Sequence, residues 1–396
     1  MQEPAPPWSR LRPLPVLFVL GLFVALWLRR QPNEKAPPPS PDKEQTEAAT
    51  PQGRRPLPAG VESVRVEEQD GEMVAIVAGA VMGTRWNARI LDRIDDEHAV
   101  ALAETTQAAL DAVDRAMSTY KPDSDVSRFN KAAAGTNVEV SAETVTVVAE
   151  AMALHEMSDG AFDATVAPLV QAWGFGAGAD ARPPDETRLA TLRERVGTQH
   201  LDLNRKGKTL AKDKDGVRLD LSAVAKGFAV DQAAAALQAQ GKTRFMIEVG
   251  GEVVVRGMAP GGRPWRLGIE TPDAAPGTVQ EVVPLHDAAL ATSGDYRNVR
   301  VVEGKRMSHT IDPRTARPVE HALASVSVIA ASCMRADGLA TTLSVLGPED
   351  GMRFCEAHDV AATFLVRRED GSFDARPCPA WQRALDAVQD AAQEAR

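Results

Sequence analysis

The stretch Cys-Met-Arg-Ala-Asp-Gly-Leu-Ala-Thr, residues 333–341, is the most informative part of this chain. Asp337 and Thr341 are four residues apart, so in a helix both side chains lie on one face. A carboxylate and a hydroxyl on one face suit a hard cation such as Mg²⁺, which prefers oxygen ligands. Taken alone, such a pair more often caps a helix or faces solvent. The metal interpretation therefore depends on what other segments bring to the same place.

The segment Asp-Leu-Ser-Ala-Val-Ala-Lys-Gly, residues 220–227, lies at a predicted junction between a strand and a helix. The strand is predicted over residues 217–221 and the Ala-rich helix over residues 222–240. The N-terminus of a helix presents unpaired amides and a positive partial charge, so this junction suits a phosphate. Lys226 would add a positive charge, and Asp220 a carboxylate directed at a cation or a hydroxyl. The alternative is a helix cap followed by a surface lysine.

Two aromatic segments are candidates for contact with a planar ligand. Residues 158–176 combine small residues, which allow close backbone approach, with Phe162, Trp173 and Phe175. Tyr120, one of two tyrosines, ends a predicted helix at a Pro-containing turn, where an exposed ring would stack on a ligand. The alternatives are a loop pinned into the core by its aromatic side chains and a tyrosine that anchors the helix end.

Two single polar residues are weaker candidates. His309 precedes an Asp-Pro turn within residues 308–313, where an imidazole would serve as a general base or a phosphate partner. Glu248 lies beside Gly250-Gly251, a strong signal for a two-residue hairpin, and would accept hydrogen bonds from ligand NH groups. Each has an ordinary alternative, because a lone histidine is more often structural and a strand glutamate often faces solvent.

The composition bounds the class of protein. The chain has 396 residues, 44% hydrophobic and 5% aromatic, so it can bury a sizeable core packed mainly by aliphatic side chains. Its formal charge of −10 argues against nucleic acid as the main partner, because phosphate contacts need a basic surface. Cys333, Cys355 and Cys378 cannot all pair with one another, and their spacing fits no zinc site. They are expected as buried thiols, or as one Cys355–Cys378 disulfide if the domain is exported.

The N-terminus is predicted to lie outside the folded domain. After a tail of residues 1–12, residues 13–30 form an apolar run closed by two arginines, which we interpret as an uncleaved transmembrane signal anchor. Residues 31–60 are rich in proline and mixed charge, which predicts a disordered tether. These features predict a single-pass protein of the cytoplasmic membrane. Positive charge is nearly balanced across the span, so the positive-inside rule does not give its orientation.

Residues 61–380 are predicted to form one domain of class α+β, because strands and helices mix without regular βαβ alternation. Residues 176–186 are predicted as a loop and residues 381–396 as a C-terminal tail helix. The other expected elements are helices at 98–120, 141–158 and 222–240, and strands at 61–78, 82–91, 217–221, 244–249, 252–256, 265–270, 280–285, 297–303 and 324–330.

Taken together, these segments strongly resemble the ApbE family, the FAD:protein FMN transferases. The resemblance covers residues 78–355, most of the predicted domain. A series of blocks in the family's order is far more specific than any one of them. The matching blocks are Val81-Met82-Gly83-Thr84, residues 118–124, Gly160-Ala161-Phe162-Asp163, residues 220–227, Glu248-Val249-Gly250-Gly251, Thr292-Ser293-Gly294, residues 308–313 and residues 336–341.

The resemblance implies a two-lobed α+β fold with the flavin between the lobes. It also implies Mg²⁺-dependent transfer of FMN from FAD onto a Thr or Ser of a target protein, through a phosphoester bond and with release of AMP. Either His309 or Asp220 would accept the hydroxyl proton. The implied metal ligands are Asp337, Thr341 and the backbone oxygen of Ala223, with Ala340 adjacent. The implied FAD contacts are Met82, Tyr120, Ala161, Phe162, Asp163, Asp220, Lys226, Glu248 and Thr292.

The resemblance further implies a partner and a location. The partner would be a target flavoprotein with a Thr/Ser acceptor motif, part of a membrane electron-transfer complex, and the catalytic domain would lie on the outer side of the cytoplasmic membrane. Family members are often lipoproteins anchored through a cysteine, whereas this chain has no cysteine near its apolar run. Two alternatives stay open: an FAD pyrophosphatase of the same fold, and a non-catalytic membrane-anchored flavin-binding protein.

Overall fold

The computed structural model describes residues 56–92, 94–176, 183–275, 277–295, 299–302 and 305–394. The predicted tail and anchor, and most of the predicted tether, lie outside these residues. Within them, no helix is both long enough and apolar enough to cross a membrane. This finding contradicts the prediction of a single-pass protein of the cytoplasmic membrane, and we withdraw that prediction.

The described residues contain helices, strands and one 3₁₀ turn, Thr198–His200. The helices are α1 (Asp96–Met117), α2 (Asp125–Lys131), α3 (Ala142–Met157), α4 (Ala167–Ala172), α5 (Glu186–Arg193), α6 (Ser222–Ala239), α7 (Cys333–His358) and α8 (Pro379–Glu394). The strands are β1 (Val61–Gln69), β2 (Glu72–Val81), β3 (Thr84–Leu91), β4 (Val138–Glu139), β5 (Leu201–Asn204), β6 (Thr209–Lys212), β7 (Phe245–Val249), β8 (Glu252–Arg256), β9 (Trp265–Glu270), β10 (Val279–Leu285), β11 (Ala289–Gly294), β12 (Val299–Val302), β13 (Lys305–Ser308), β14 (Ile311–Asp312), β15 (Arg317–Pro318), β16 (Leu323–Ala330), β17 (Ala361–Arg367) and β18 (Phe373–Pro377).

One large sheet organises the fold. Its nine strands lie in the order β1-β2-β3-β7-β8-β11-β16-β17-β18. Each neighbouring pair is antiparallel. Antiparallel neighbours need no helical crossover between them, so the helices are grouped along the chain instead of alternating with strands. The α+β prediction is confirmed.

Three helices form a layer against this sheet. Helix α1 packs on β1 and β2, α6 on β7 and β8, and α7 on β11 and β16. The buried positions of α1 include Leu102, Leu110 and Val113, spaced as one face of a helix. Helix α6 buries mainly alanines and small apolar residues and contacts both α1 and α7. The small side chains let α6 lie close between its two neighbours.

A smaller hydrophobic cluster lies apart from the main core. Helices α4 and α5 and the β14–β15 hairpin form it, and Trp173 Nε1 donates to the Ala316 carbonyl at 2.8 Å. Two separate clusters are what a two-lobed fold requires. The position of a flavin between them stays a prediction. The buried members of the cluster are Leu169, Ala172, Trp173, Leu189, Leu192, Val196, Ile311 and Ala316.

Some predicted elements differ from the observed ones. Residues 217–221 are not a strand, because Arg218 makes only an isolated bridge to Val166. Local alternation predicted a strand there, but a strand also needs a partner in register. The elements not predicted from the sequence are helices α2, α4 and α5 and strands β4, β5, β6, β11, β13, β14, β15, β17 and β18.

The C-terminal elements complete the core. The helix predicted over residues 381–396 begins at Pro379, and its Trp381 is buried in the main core. Helix α8 packs on β17 and β10. The three cysteines are free and buried, and the Cys378 thiol donates to the Val360 carbonyl at 2.9 Å. The C-terminal helix is therefore part of the folded domain.

Candidate active site

The predicted metal and phosphate residues meet where α6 and α7 pack together. The Gly227 amide donates to Asp337 Oδ2 at 2.9 Å, although the two residues are 110 positions apart. A Cβ atom at Gly227 would lie 2.3 Å from the Cys333 carbonyl oxygen and 2.8 Å from Asp337 Cβ. Only glycine allows the two helices to approach this closely.

Lys226 lies between two carboxylates at this contact. Its Nζ is 3.0 Å from Glu252 Oε1 and 3.7 Å from Asp337 Oδ1. Both acidic residues are 3% exposed, whereas 31% of the Lys226 side chain is exposed. The lysine is therefore the solvent-facing member of a cluster that contains two buried acids.

The environment changes the proton affinity of all three groups. Burial opposes the charge on Lys226, but Asp337 and Glu252 outweigh this effect and raise the pKa of the lysine. Burial raises the pKa of both acids, and the nearby lysine acts against this rise. The lysine is therefore held charged.

The first turns of α6 and α7 differ in how well their backbone amides could bind an anion. On α7, the amides of Cys333 and Met334 donate to the Asp231 carboxylate of α6 at 2.8 and 2.9 Å. On α6, Leu221 at the N-cap makes no side-chain hydrogen bond, and the Ser222 amide donates to Asp220 Oδ1 at 2.9 Å. The start of α6 carries Lys226 in its second turn, so it is the better candidate for a phosphate.

Residues 160–165 form a loop that is fastened to the start of α6. The Asp220 amide donates to the Ala164 carbonyl at 2.8 Å. Ala161 and Phe162 are buried, and Phe162 belongs to the main core. The Phe162 ring therefore pins the loop, as the alternative interpretation expected. This loop presents its backbone, and not the Phe162 ring, to the surroundings of Asp220.

The Asp163 side chain stabilises the same loop by accepting hydrogen bonds within it. It is 7% exposed, and its Oδ1 accepts from the Thr165 amide at 2.7 Å and the Thr165 hydroxyl at 2.5 Å. Its Oδ2 lies 3.2 Å from His155 Nδ1. The hydrogen bond to Asp163 raises the pKa of His155, against an opposing effect of burial. Asp163 is thus a structural anchor whose carboxylate is occupied by the protein.

Two tight turns lie side by side at one end of the sheet. Met82 and Gly83 connect β2 to β3 with φ of 50° and 71°, and Gly250 and Gly251 connect β7 to β8 with φ of 60° and 108°. The Gly250 amide donates to the Arg85 carbonyl at 3.1 Å, which joins the turns. A methionine at positive φ costs about 1 kcal/mol. Met82 therefore keeps local backbone strain. The predicted Gly250-Gly251 hairpin beside it is confirmed.

Side chains alternate between the two faces of this hairpin, and Glu248 and Glu252 lie on opposite faces. Glu252 pairs directly with Val249 and shares its face, which is the face of the lysine cluster. Glu248 lies on the other face, where it accepts from Asn87 Nδ2 at 2.5 Å and from the Gly251 amide at 2.6 Å. Glu252, which the sequence analysis missed, therefore joins the cluster, and Glu248 does not. The available signal was its place directly after the two-glycine turn.

In strand β11, the neighbouring residues Thr292 and Ser293 also point to opposite faces of the sheet. The Thr292 hydroxyl lies 2.7 Å from Ser327 Oγ of its cross-strand partner. The next residue, Ser293, faces α7 and lies 3.4 Å from Thr341 Oγ1. Ser293 therefore contacts the hydroxyl of the candidate metal residue, whereas Thr292, predicted as an FAD contact, lies on the other face of the sheet.

Comparison with known proteins identifies the family to which this arrangement belongs. Residues 82–364, most of the chain, match the model of the ApbE family. The chain belongs to the ApbE family. The matched range contains the turns, the loop and the lysine cluster described above.

Named relatives and solved structures agree with this membership of the ApbE family. A Vibrio cholerae protein named FAD:protein FMN transferase is 42% identical over 307 residues, covering 77% of this chain and 90% of the relative. The Escherichia coli K12 protein of the same name is 37% identical over 317 residues, covering 79% and 89%. The structure of Flavin Transferase ApbE from Vibrio cholerae superposes with a TM-score of 0.71 at 39% identity, covering 79% of this chain and 99% of that chain. The apo form of Pseudomonas stutzeri flavinyl transferase ApbE gives a TM-score of 0.72 at 37% identity, covering 79% and 97%.

Two further family-implied residues of this ApbE chain are Tyr120 and His309. Tyr120, just beyond the end of α1, is 76% exposed, as a stacking ring requires and as a buried helix anchor would not be. The His309 ring makes an edge contact with Phe175, with 6.4 Å between ring centroids. Phe175 packs against the smaller hydrophobic cluster. The implied residues are thus distributed over both clusters.

The donors near α7 fit a hard cation in this ApbE chain. In the part of the chain that the structure describes, no three or more His, Cys, Asp or Glu side chains are grouped to hold a metal. Asp337 Oδ1 points to Lys226, while Oδ2 accepts from Gly227. With the Thr341 hydroxyl and the Ala223 carbonyl, this gives one carboxylate and neutral oxygens. Such a set suits Mg²⁺, which binds proteins through one or two carboxylates and completes its shell with substrate phosphates.

Proposed function

We propose that this ApbE chain is an FAD:protein FMN transferase. It transfers the FMN moiety of FAD onto a Thr or Ser hydroxyl of a target protein and releases AMP. The observation that carries the proposal is the cluster of Lys226, Asp337 and Glu252 at the start of α6. It lies in a chain whose relatives of 37% and 42% identity bear the name of this activity.

The chemistry demands neutralisation of a pyrophosphate. A hydroxyl is a weak nucleophile, so its attack at phosphorus requires charge compensation and an in-line geometry. Lys226 and the first turn of α6 supply positive charge from the protein. The hydrogen bond between Asp220 and Ala164 keeps the neighbouring loop in a fixed relation to this turn.

A divalent cation is part of the proposal. Asp337, Thr341 and the Ala223 carbonyl would hold it, with Ala340 adjacent. Mg²⁺ bound there would act as a Lewis acid on the phosphate oxygens. The protein supports this role because the Gly227 amide fixes the Asp337 carboxylate from its other oxygen.

The proposed transfer balances as a single displacement. The target hydroxyl oxygen bonds to the FMN phosphorus, and the bond from that phosphorus to the oxygen bridging it to AMP breaks. AMP leaves with the bridging oxygen, and the hydroxyl proton passes to a base. Asp220 at the start of α6 and His309 beside Phe175 are the two candidates for this base.

The flavin is proposed to lie between the two hydrophobic clusters. Tyr120 offers an exposed ring for stacking, and Met82 offers a flexible apolar side chain at a strained turn. The loop that contains Ala161, Phe162 and Asp163 would contribute backbone groups. Glu248 and Thr292 would contribute from the opposite face of the sheet.

The test is the intact mass of an acceptor fragment that carries a Thr/Ser flavinylation motif. The fragment is incubated with the full chain, FAD and MgCl₂, with a parallel sample in EDTA. A gain of one FMN moiety that requires MgCl₂ supports the proposal. AMP release without a mass gain on any acceptor would instead indicate an FAD pyrophosphatase. FAD binding without AMP or mass gain would indicate a non-catalytic flavin-binding protein.

A further inference from the structure

Glu252 is a buried acid to which the proposed transfer gives no role. It is 3% exposed, and its Oε1 lies 3.0 Å from Lys226 Nζ. Its Oε2 is buried and has no hydrogen-bond partner among the described residues. A buried carboxylate with an unsatisfied oxygen costs stability, so its retention calls for a physical reason.

The two carboxylates of the cluster are held differently. Asp337 Oδ2 is occupied by the Gly227 amide, so Oδ1 is the oxygen that remains for a ligand. Lys226 Nζ lies 3.7 Å from this Oδ1, farther than its 3.0 Å separation from Glu252. The lysine is thus drawn toward Glu252 and away from the oxygen that a cation would use.

The Lys226 ammonium and a divalent cation would compete for Asp337 on electrostatic grounds. An ammonium that pairs closely with Asp337 would compete with a divalent cation for the same oxygen and would repel it. Glu252 Oε1 gives the ammonium a closer partner, at 3.0 Å. Without this partner, Lys226 would pair more closely with Asp337.

We propose that Glu252 is a positioning residue that holds Lys226 to one side and thereby leaves Asp337 Oδ1 available to the divalent cation. This inference rests on the proposed function, because it assumes a cation at Asp337. It explains why an acid follows the Gly-Gly turn on the face toward α6. Glu252 acts through Lys226 and does not itself touch the reacting atoms.

The experiment titrates MgCl₂ into the full chain without FAD or acceptor, and follows the thermal unfolding midpoint. Binding of a ligand to the folded state raises that midpoint, so the curve gives an apparent Mg²⁺ affinity without turnover. We expect Glu252→Gln to weaken this affinity at least tenfold. Combination with Lys226→Met should restore most of it, because no ammonium then competes for Asp337.

A second variant separates position from net charge. Glu252→Asp keeps the charge but withdraws the carboxylate by one methylene, so we expect a severalfold loss of Mg²⁺ affinity. Wild-type affinity in this variant would assign the effect to charge alone and overturn the positioning role. Wild-type affinity in Glu252→Gln would overturn it as well.

Two further outcomes complete the test. If Glu252→Gln and its combination with Lys226→Met are equally weak, Glu252 acts as a ligand or a structural group, and the inference is wrong. If the wild type and Asp337→Ala respond alike to MgCl₂, the proposed cation site itself is wrong, and the inference falls with it. The Asp337→Ala control therefore distinguishes failure of the site from failure of the role of Glu252.

Discussion

Lys212 and Lys226 are both drawn into the protein but are held in opposite ways. Lys212 is 2% exposed and donates to the carbonyls of Val217, Phe129 and Asn130 at 2.9, 3.1 and 3.4 Å. Its ammonium also lies 4.8 Å from the centre of the Phe129 ring. Lys226 instead lies between two carboxylates and remains partly exposed.

The difference teaches how a charged residue in a fold is recognised as structural or functional. Carbonyl oxygens saturate the donors of Lys212 without adding charge, and burial lowers its pKa. Nothing in that region is left to attract a ligand. Around Lys226, Asp337 and Glu252 raise the pKa of the lysine despite burial. That region keeps a partly exposed charged group among acids of perturbed pKa, which is typical of binding sites.

The largest effect is expected for Asp337→Ala, which removes one of the two acids beside Lys226. Loss of a metal-binding carboxylate costs several kcal/mol of transition-state stabilisation, so transfer should fall about 10³-fold. The intact-mass assay for FMN transfer measures this loss. The control is Asp350→Ala, an exposed aspartate of the same helix. Full activity of Asp337→Ala would place the cation elsewhere.

The next effect is expected for Lys212→Met, which tests the structural side of the comparison. It leaves buried carbonyls without a donor, so the free energy of unfolding should fall by about 3 kcal/mol. Transfer per folded molecule should not change. Chemical denaturation measures the first quantity and the mass assay the second, with exposed Lys206→Met as the control. A variant of unchanged stability but impaired transfer would reverse the roles of the two lysines.

A pH-dependent effect is expected for His155→Gln, because the pKa of His155 is raised by Asp163. The stabilisation from the protonated ring is complete below the unfolded pKa of about 6.5 and is lost as pH rises through the folded value. The wild type should therefore exceed the variant by about 1–2 kcal/mol in unfolding free energy at pH 5, and by less at pH 8.5. Denaturation at the two pH values measures this difference, with exposed His98→Gln as the control. A difference that grows with pH would contradict the His155–Asp163 ion pair.

The smallest effect is expected for Tyr120→Ala, where neither lysine environment is involved. Because the ring is 76% exposed, the free energy of unfolding should change by no more than about 0.5 kcal/mol. Loss of ring stacking should weaken FAD binding about tenfold, and Tyr120→Phe should retain it. Quenching of flavin fluorescence measures the affinity. Equal affinity of all three proteins would remove Tyr120 from the flavin site.

Sequence patterns predicted the parts of the site that depend on local order. The i,i+4 spacing of Asp337 and Thr341 and the position of Lys226 near a helix start are properties of single segments. The structure places Lys226 beside Asp337, as the matching blocks implied. The Gly250-Gly251 hairpin was equally local and was found.

The sequence could not give the parts that depend on strand register. A shift of one residue moves a side chain to the other face of a sheet. For this reason the sequence did not indicate that Glu252 faces α6 or that Ser293 meets Thr341. The FAD contacts of Glu248 and Thr292 stay predictions. The alternating pattern at residues 217–221 failed for a related reason, since pairing with another strand was not visible in it.

The contact between Gly227 and Asp337 has a consequence for the order in which this protein becomes competent. The two residues are 110 positions apart in the sequence, and Asp337 lies on the last long helix before the C-terminal strands. A growing chain can complete its first hairpins and α1 well before Asp337 has been synthesised. Charge compensation at Lys226 is therefore among the last properties to appear. A partly made chain has Tyr120 but lacks Asp337, the acid proposed to hold the metal.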